Sequence, residues 1–332
     1  MRFGALTYAY STNVGDEIQT LAASHFLPRV DTLIERDRLH WYRDEPPVFV
    51  IFNGWFTHQP FWPPPDSIRP LFISFHAAKP EMLVDRKFIH YFRRHQPIGC
   101  RSLSTLEAFR AIGVRAYFSG CLTLTLRGTR QPRTDRVLAV DVEQDLYAAS
   151  VPSHVRKVAI HLSHEFPPPD ANLLSRANWR ALYLAQRGIY KYGYGRRLLA
   201  NACTSLNAAR HRSRLSRARK LLALYSEARL VITSRLHCAL PCLALGTPVL
   251  LLRRGVESDP RFAGLRDLVR YHSEPSRPIK IDWREPGPNP DAYVTYAKAL
   301  RQTCEDWVRS VLGTACREPE AVVAADSRAE LQ

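Results

Sequence analysis

Short apolar runs broken by polar, glycine-bearing segments recur along this chain, and amphiphilic stretches at helical spacing lie between them. Residues 3–10 are apolar and aromatic, Ser11 to Glu17 interrupt them, and Ile18, Leu21, Ala22 and Phe26 then return at helical spacing. This predicts a strand, a polar loop and a helix. Val48 to Phe52 predict a second buried strand ending in Asn53-Gly54, Leu71 to Phe75 a third ending in His76, and residues 97–101 a fourth ending at Arg101. A helix to about Ala111 follows, and residues 116–118 and 122–126 complete this half.

Residues 127–136 have the polar, basic composition of a linker. Beyond them, residues 137–142 and 155–162 restart the strand pattern, the second run ending in Ser163-His164. Leu230 to Ile232, the break Thr233-Ser234-Arg235-Leu236-His237, a small-residue helix, Gly246 and Val249 to Leu252 read as strand, loop, helix, strand. Prolines crowd residues 273–290, and Tyr293 to Leu312 predict a last helix. Strand and helix alternate in both halves, which implies an α/β protein of two doubly wound parallel sheets with right-handed crossovers. The expected domains are residues 1–127, completed by a returning helix at 291–313, and residues 137–280, with a disordered tail at 316–332. A length of 332 residues suits two cores.

Charge adds an expectation about ligands. The formal net charge is +16, and no acidic residue lies between Asp170 and Glu227, where twelve arginines and lysines fall. Such a field attracts phosphorylated metabolites, pyrophosphate-linked carriers, anionic lipid surfaces or nucleic acid, and otherwise reads as a solvated helical face. No nucleic-acid-binding motif appears in the chain, so no nucleic-acid partner is expected. The seven cysteines are scattered without a C-x-x-C pair, which argues against a disulfide framework or a metal site. No apolar run is long enough to cross a bilayer and the first residues lack a signal-peptide core, so the chain is expected in the cytoplasm, peripheral to the inner, anionic face of the membrane.

The phosphate loop, dinucleotide fingerprint, nucleophile elbow and zinc-protease motifs are all absent. What remains are strand-end groups that two facing sheets would gather into one cleft: Asn13, Gly15 and Asp16; Asn53 and Gly54; His76; Arg101; His161; and Ser234, Arg235 and His237. An arginine fork suits a carboxylate or phosphate. Each group also has a plainer reading: Asp16 and His237 as helix caps, Arg235 paired with a local carboxylate, Asn53-Gly54 as a turn, His76 and His161 as core or rim histidines.

Five segments in order, Asn13-Val14-Gly15-Asp16-Glu17-Ile18-Gln19, Asn53-Gly54-Trp55-Phe56, Pro97-Ile98-Gly99-Cys100-Arg101, Phe118-Ser119-Gly120-Cys121-Leu122-Thr123-Leu124-Thr125-Leu126 and Val231-Ile232-Thr233-Ser234-Arg235-Leu236-His237, resemble the polysaccharide pyruvyl transferase family. Ser102 stands where members frequently carry aspartate, and Cys238 where glycine is common. The resemblance implies two Rossmann-like domains facing a cleft, as in GT-B glycosyltransferases. It also implies transfer of the pyruvyl group of phosphoenolpyruvate onto a sugar of a surface polysaccharide or its lipid-linked precursor, as a ketal, with release of phosphate. Phosphoenolpyruvate is then a co-substrate, with no metal or cofactor. On this reading Arg235, Arg101 and Ser234 bind phosphoenolpyruvate. His237 acts as general acid, and Asp16 orients or deprotonates the sugar hydroxyl. Asn13, Gly15, Asn53, Gly54, His76 and His161 face the saccharide acceptor. The competing readings are a sugar-nucleotide glycosyltransferase of the same shape and a basic, non-catalytic nucleic-acid or glycan-binding protein.

Overall fold

The computed structural model describes residues 1–8, 11–42, 46–57, 62–128, 132–167 and 197–315, with single positions at 174, 177, 180, 181 and 184. The expected tail at 316–332 and most of the basic stretch before Arg197 lie outside the described residues.

The fold is α/β with two parallel sheets. The first has six strands, β1 (Arg2–Thr7), β2 (Thr32–Glu35), β3 (Val48–Phe56), β4 (Ile68–Ala77), β5 (Ile98–Cys100) and β6 (Ala116–Phe118), in the order β2-β1-β3-β4-β5-β6. The second has five, β7 (Val137–Val140), β8 (Ile160–Leu162), β9 (Leu230–Thr233), β10 (Val249–Leu252) and β11 (Tyr271–His272), in the order β11-β10-β9-β7-β8. Strands covered on both faces need apolar side chains at successive positions, and the burial of β7, β9 and β10 at every residue accounts for their unbroken Val, Leu, Ile and Ala runs. In each sheet the chain steps to one edge and then crosses to the other side of its first strand. The crevices at which such sheets bind ligands therefore open between β1 and β3 and between β7 and β9.

Eight helices cover the sheets: α1 (Gly15–Ser24), α2 (Arg86–Arg94), α3 (Leu103–Ala111), α4 (Gln144–Ser150), α5 (Ser153–Val158), α6 (Arg197–Glu227), α7 (Leu236–Ala244) and α8 (Tyr293–Ala315), counted among the described residues. One apolar cluster joins both halves, running from Phe3, Ile18 and Leu21 through Leu122 and Leu124 to Leu221, Leu240 and Val308. The last helix, α8, packs on the first sheet's side: Trp307 meets Phe49, Tyr296 meets Phe118, and Arg301 donates to the Thr125 carbonyl.

Three segments depart from the sequence reading. Residues 155–162 form the end of α5 and the short β8 instead of one strand, because Pro152-Ser153 opens a helix there. Residues 122–125 coil into a 3₁₀ turn wedged between α1, α7 and α8 rather than adding a strand. The second strand continues through Asn53 and Gly54 to Phe56, with a register shift against β4 between Phe52 and Gly54.

The basic stretch departs as well. At its described end, Arg210 and Arg214 are buried on the inner face of α6. Arg214 is fully enclosed. Its Nη2 lies 2.7 Å from Glu17 Oε1 on α1, and its guanidinium donates to the carbonyls of Tyr8 and Ser11. His211 Nδ1 stands 3.9 Å from the same carboxylate. Removing one partner of a buried pair strands the other charge in a low-dielectric interior, so Arg214→Met should cost about 3–5 kcal/mol in urea denaturation. Glu17→Gln combined with Arg214→Met should recover part of that loss, and a double variant no more stable than Arg214→Met would show that the charges are uncoupled.

Candidate functional site

The crevice of the first sheet is shaped by the turn that opens α1. Asn13 Oδ1 accepts the Gly15 amide at 3.0 Å, and the Val14 amide donates across to the His164 carbonyl at 2.8 Å. A Cβ on Gly15 would stand 3.0 Å from His237 Cβ and 3.3 Å from His164 Nδ1, so only glycine lets these two histidines approach the turn so closely. Asp16 follows, in the first helical turn where a carboxylate complements the helix dipole. Its Oδ2 accepts from Ser11 Oγ at 2.5 Å and its Oδ1 from Gln19 Nε2 at 3.2 Å.

Gln19 links Asp16 to the cation of the site. Its Oε1 lies 3.4 Å from Arg101 Nη1, and the same Nη1 lies 3.4 Å from His237 Nε2. Asn53 and Gly54 act on this glutamine: Asn53 Nδ2 donates to the Gln19 carbonyl at 2.8 Å, and Gly54, at φ +111°, leaves the space where a Cβ would meet Gln19 Oε1 at 2.9 Å.

Arg101 ends β5 and is 2% exposed. Among the described residues no carboxylate comes within ion-pair distance of it, and its Nε has no partner. Burial pulls its pKa down from the ordinary arginine value, Asp16 offsets part of this, and Arg261 and Arg36 add repulsion. A guanidinium in this state is a poorly solvated cation facing a neutral imidazole, and an arriving anion relieves its cost.

Both histidines beside Arg101 are neutral. His237, at the start of α7, has its pKa held well below the usual histidine value by burial and then by Arg101, His164 and His76. His76, in the last turn of β4, is pushed down to about 2 by burial, followed by Arg101 and Arg261. Its Nδ1 lies 3.0 Å from Ser102 Oγ and 3.2 Å from Thr105 Oγ1 at the start of α3. His164, 1% exposed, is fixed by its amide on Asp141 Oδ2 at 2.9 Å and by Nε2 against Tyr225 Oη at 2.8 Å, while its Nδ1 has no partner.

Three expected contributors make other contacts. The Arg235 guanidinium is turned to Asp141, 3.0 Å from Nε to Oδ2, with a side chain 46% exposed. Arg101 and His237 are in contact, whereas the Arg235 Nε is engaged by Asp141. Burial alone would raise the Asp141 pKa, but Ser163, the His164 amide and Arg235 outweigh it and hold the carboxylate ionised. Ser234 Oγ donates to the Asp141 carbonyl at 2.5 Å, tying the ends of β7 and β9 together. His161 is exposed on the edge strand β8, edge-on to Tyr147, while His164, three residues on, is buried close to Gly15. Among the described residues no His, Cys, Asp and Glu cluster could hold a metal ion, and no helix is long and apolar enough to cross a membrane.

A model of the polysaccharide pyruvyl transferase family matches residues 13–255, a span that contains Asp16, Gln19, His76, Arg101, His164 and His237. The chain belongs to that family. Membership carries a pyruvyl transferase activity and a saccharide acceptor. No curated protein matches the chain. Among solved structures, a functionally uncharacterised Klebsiella pneumoniae protein is 11% identical and aligns over 78% of this chain and 87% of its own, with a TM-score of 0.37, a likeness too loose to carry argument.

For this family member the neutral histidines have a consequence for stability. A histidine with a depressed folded pKa binds fewer protons folded than unfolded, so its contribution is whole above about pH 6.5 and is lost as pH falls below it. His76 alone should remove about 1.4 kcal/mol per pH unit between about pH 6.5 and pH 5. Urea denaturation across this range should show the decline, and His76→Gln should reduce its slope by about 1.4 kcal/mol per pH unit, leaving the share of His237.

Proposed function

We propose that this transferase takes the pyruvyl group of phosphoenolpyruvate and places it on two hydroxyls of a saccharide as a cyclic ketal, releasing phosphate. The observation that supports this most is the buried Arg101 guanidinium, without a carboxylate partner among the described residues and in contact with a neutral imidazole. A small polyanion with a carboxylate and a phosphate supplies the charge that Arg101 lacks.

Anion binding also changes His237. Burial is the first cause of its low pKa and the Arg101 charge the next, and a phosphate beside Arg101 offsets that repulsion, which favours protonation of the imidazole as the donor binds. That proton goes to the methylene carbon of phosphoenolpyruvate, the C=C electron pair forms the new C–H bond, and the adjacent carbon becomes electrophilic. A sugar hydroxyl attacks this carbon and loses its proton toward Asp16, which Ser11 and Gln19 hold in one orientation. The C–O bond to phosphate then breaks with Arg101 stabilising the leaving dianion, and a second hydroxyl closes the ring. Of the two protons the diol loses, one replaces that spent on carbon and the other leaves on phosphate. Arg235 and Ser234 take a positioning role here, holding Asp141 and through it the His164 backbone.

Two measurements test this reading. Phosphate release from phosphoenolpyruvate with a saccharide panel, accompanied by the mass increase of the ketal, should fall about 10²–10³-fold in Arg101→Ala. A variant that keeps most of the wild-type rate would remove Arg101 from the chemistry. Calorimetry in buffers of different ionisation enthalpy should show proton uptake when phosphoenolpyruvate binds near neutral pH, lost in His237→Gln, and unchanged uptake in that variant would assign the proton elsewhere.

A further inference from the structure

Strand β3 is buried along its length apart from Phe49, which is half-buried, and one exposed residue, Trp55. An indole 37% exposed at the ligand-facing end of a strand otherwise packed with Val, Ile and Phe has no role in the core. Its surroundings are built from both halves of the molecule. On one side it meets His76 edge-on, with ring centroids 5.8 Å apart. On the other, the Arg261 guanidinium from the loop after β10 stands 5.9 Å from the ring centroid.

That loop is docked rather than adrift. The Leu103 amide at the start of α3 donates to the Ala263 carbonyl at 3.1 Å, Ser104 Oγ donates to the Pro260 carbonyl at 3.1 Å, and Gly264 sits so close to Phe118 and Leu103 that a Cβ would stand under 3.0 Å from each. Within the loop, Asp259 fixes Arg261 through Nε and Nη2, which leaves Nη1 without a partner among the described residues. Trp55 also borders the anion site: it pairs in register with His76, whose Nδ1 contacts Ser102 beside Arg101, and Arg101 and Arg261 repel one another.

We infer that Trp55 and Arg261 form the acceptor subsite, a platform for the apolar face of a pyranose ring. Axial C–H groups of a sugar carry slight positive charge and pack against the electron-rich face of an indole, while the ring's hydroxyls meet the free Arg261 N–H groups. The position, one residue layer from Arg101, puts the hydroxyls of a stacked sugar beside an anion held there. The inference rests on the pyruvyl-transfer reading for its choice of a saccharide over a nucleobase, which would stack on the same indole.

The test uses the full-length protein and three probes, the methyl pyranosides of glucose, galactose and mannose, with uridine monophosphate as a fourth. Saturation-transfer NMR should show contact to one face of at least one pyranoside. Trp55→Leu, which keeps apolar bulk against His76 but has no aromatic face, should weaken that contact about three- to tenfold, and Trp55→Phe should retain most of it. Phosphoenolpyruvate affinity by calorimetry should stay within about twofold in both variants. Equal pyranoside contact in wild type and Trp55→Leu, no contact with any pyranoside, or loss of uridine monophosphate contact alone would each overturn the subsite. Failure of the wild type to bind phosphoenolpyruvate, with Trp55-dependent pyranoside contact intact, would reject the donor and leave the subsite standing.

Discussion

A single buried charge contact sets the geometry on which the site depends. Glu17 and Arg214 meet at 2.7 Å with side chains 0% and 1% exposed, one on the helix that opens the first crevice and the other on the long helix leading to β9. Desolvating two such charges consumes most of what their attraction returns, so the pair adds little net stability. Its effect is to penalise, by about 3–5 kcal/mol, any seating of the two halves that leaves either charge unmatched. Because Glu17 follows Asp16 in the same helical turn, the contact that seats α6 also fixes the carboxylate that faces the cleft.

The electrostatics of the cleft follow from that enclosure. Arg101 and His76 are buried and His237 is half-buried beside them, which leaves a cation with imidazoles that do not share its charge. A surface arginine would be solvated or paired and would gain little from an anion. At Arg101 the cost of a buried cation without a carboxylate partner among the described residues is met during folding and relieved on binding, which favours small anions over neutral ligands of equal size. Protonation of His237 then becomes a response to the ligand instead of a standing property of the protein.

Much of this was legible in the chain. Parallel strands buried on both faces read as unbroken apolar runs, and the strands at Ile98, Val137, Leu230 and Val249 fall where such runs occur, with Arg101, Asp141 and Ser234 just beyond their ends. Less legible was anything that depends on which way a strand or helix faces. His161 and His164 are equivalent as letters; the first lies on an exposed edge strand, and contacts with Asp141 and Tyr225 hold the second close to Gly15. Arg235 carries the right chemistry at the right strand end, yet Asp141, 94 positions away, takes its guanidinium. The inward turn of Arg210 and Arg214 did leave a trace: together with Ala218, Leu221 and Tyr225 they continue one stripe at spacings of three and four, and all five are buried. Reading the twelve basic residues as an anion-attracting field, or otherwise as a solvated face, missed that two of them occupy core positions.

Contacts on both flanks of the cleft bear on how the site works. On one flank the Val14 amide donates to the His164 carbonyl and Arg214 reaches Glu17; on the other, α3 receives the loop at Pro260 and Ala263. Main-chain hydrogen bonds on both flanks and a buried ion pair on one hold the width of the cleft, so Arg101, Gln19, Asp16 and His237 stand within hydrogen-bonding range of their neighbours. Preorganisation of this kind places the cost of orienting charged groups in the folding step, where the apolar cluster shared by both halves offsets it, and leaves binding energy available for the reacting groups. A hinged cleft would have to meet that cost at every turnover. The bridging loop is also the element that brings Arg261 to Trp55, so the contact that limits the motion of the two halves is the one that completes the mouth of the site.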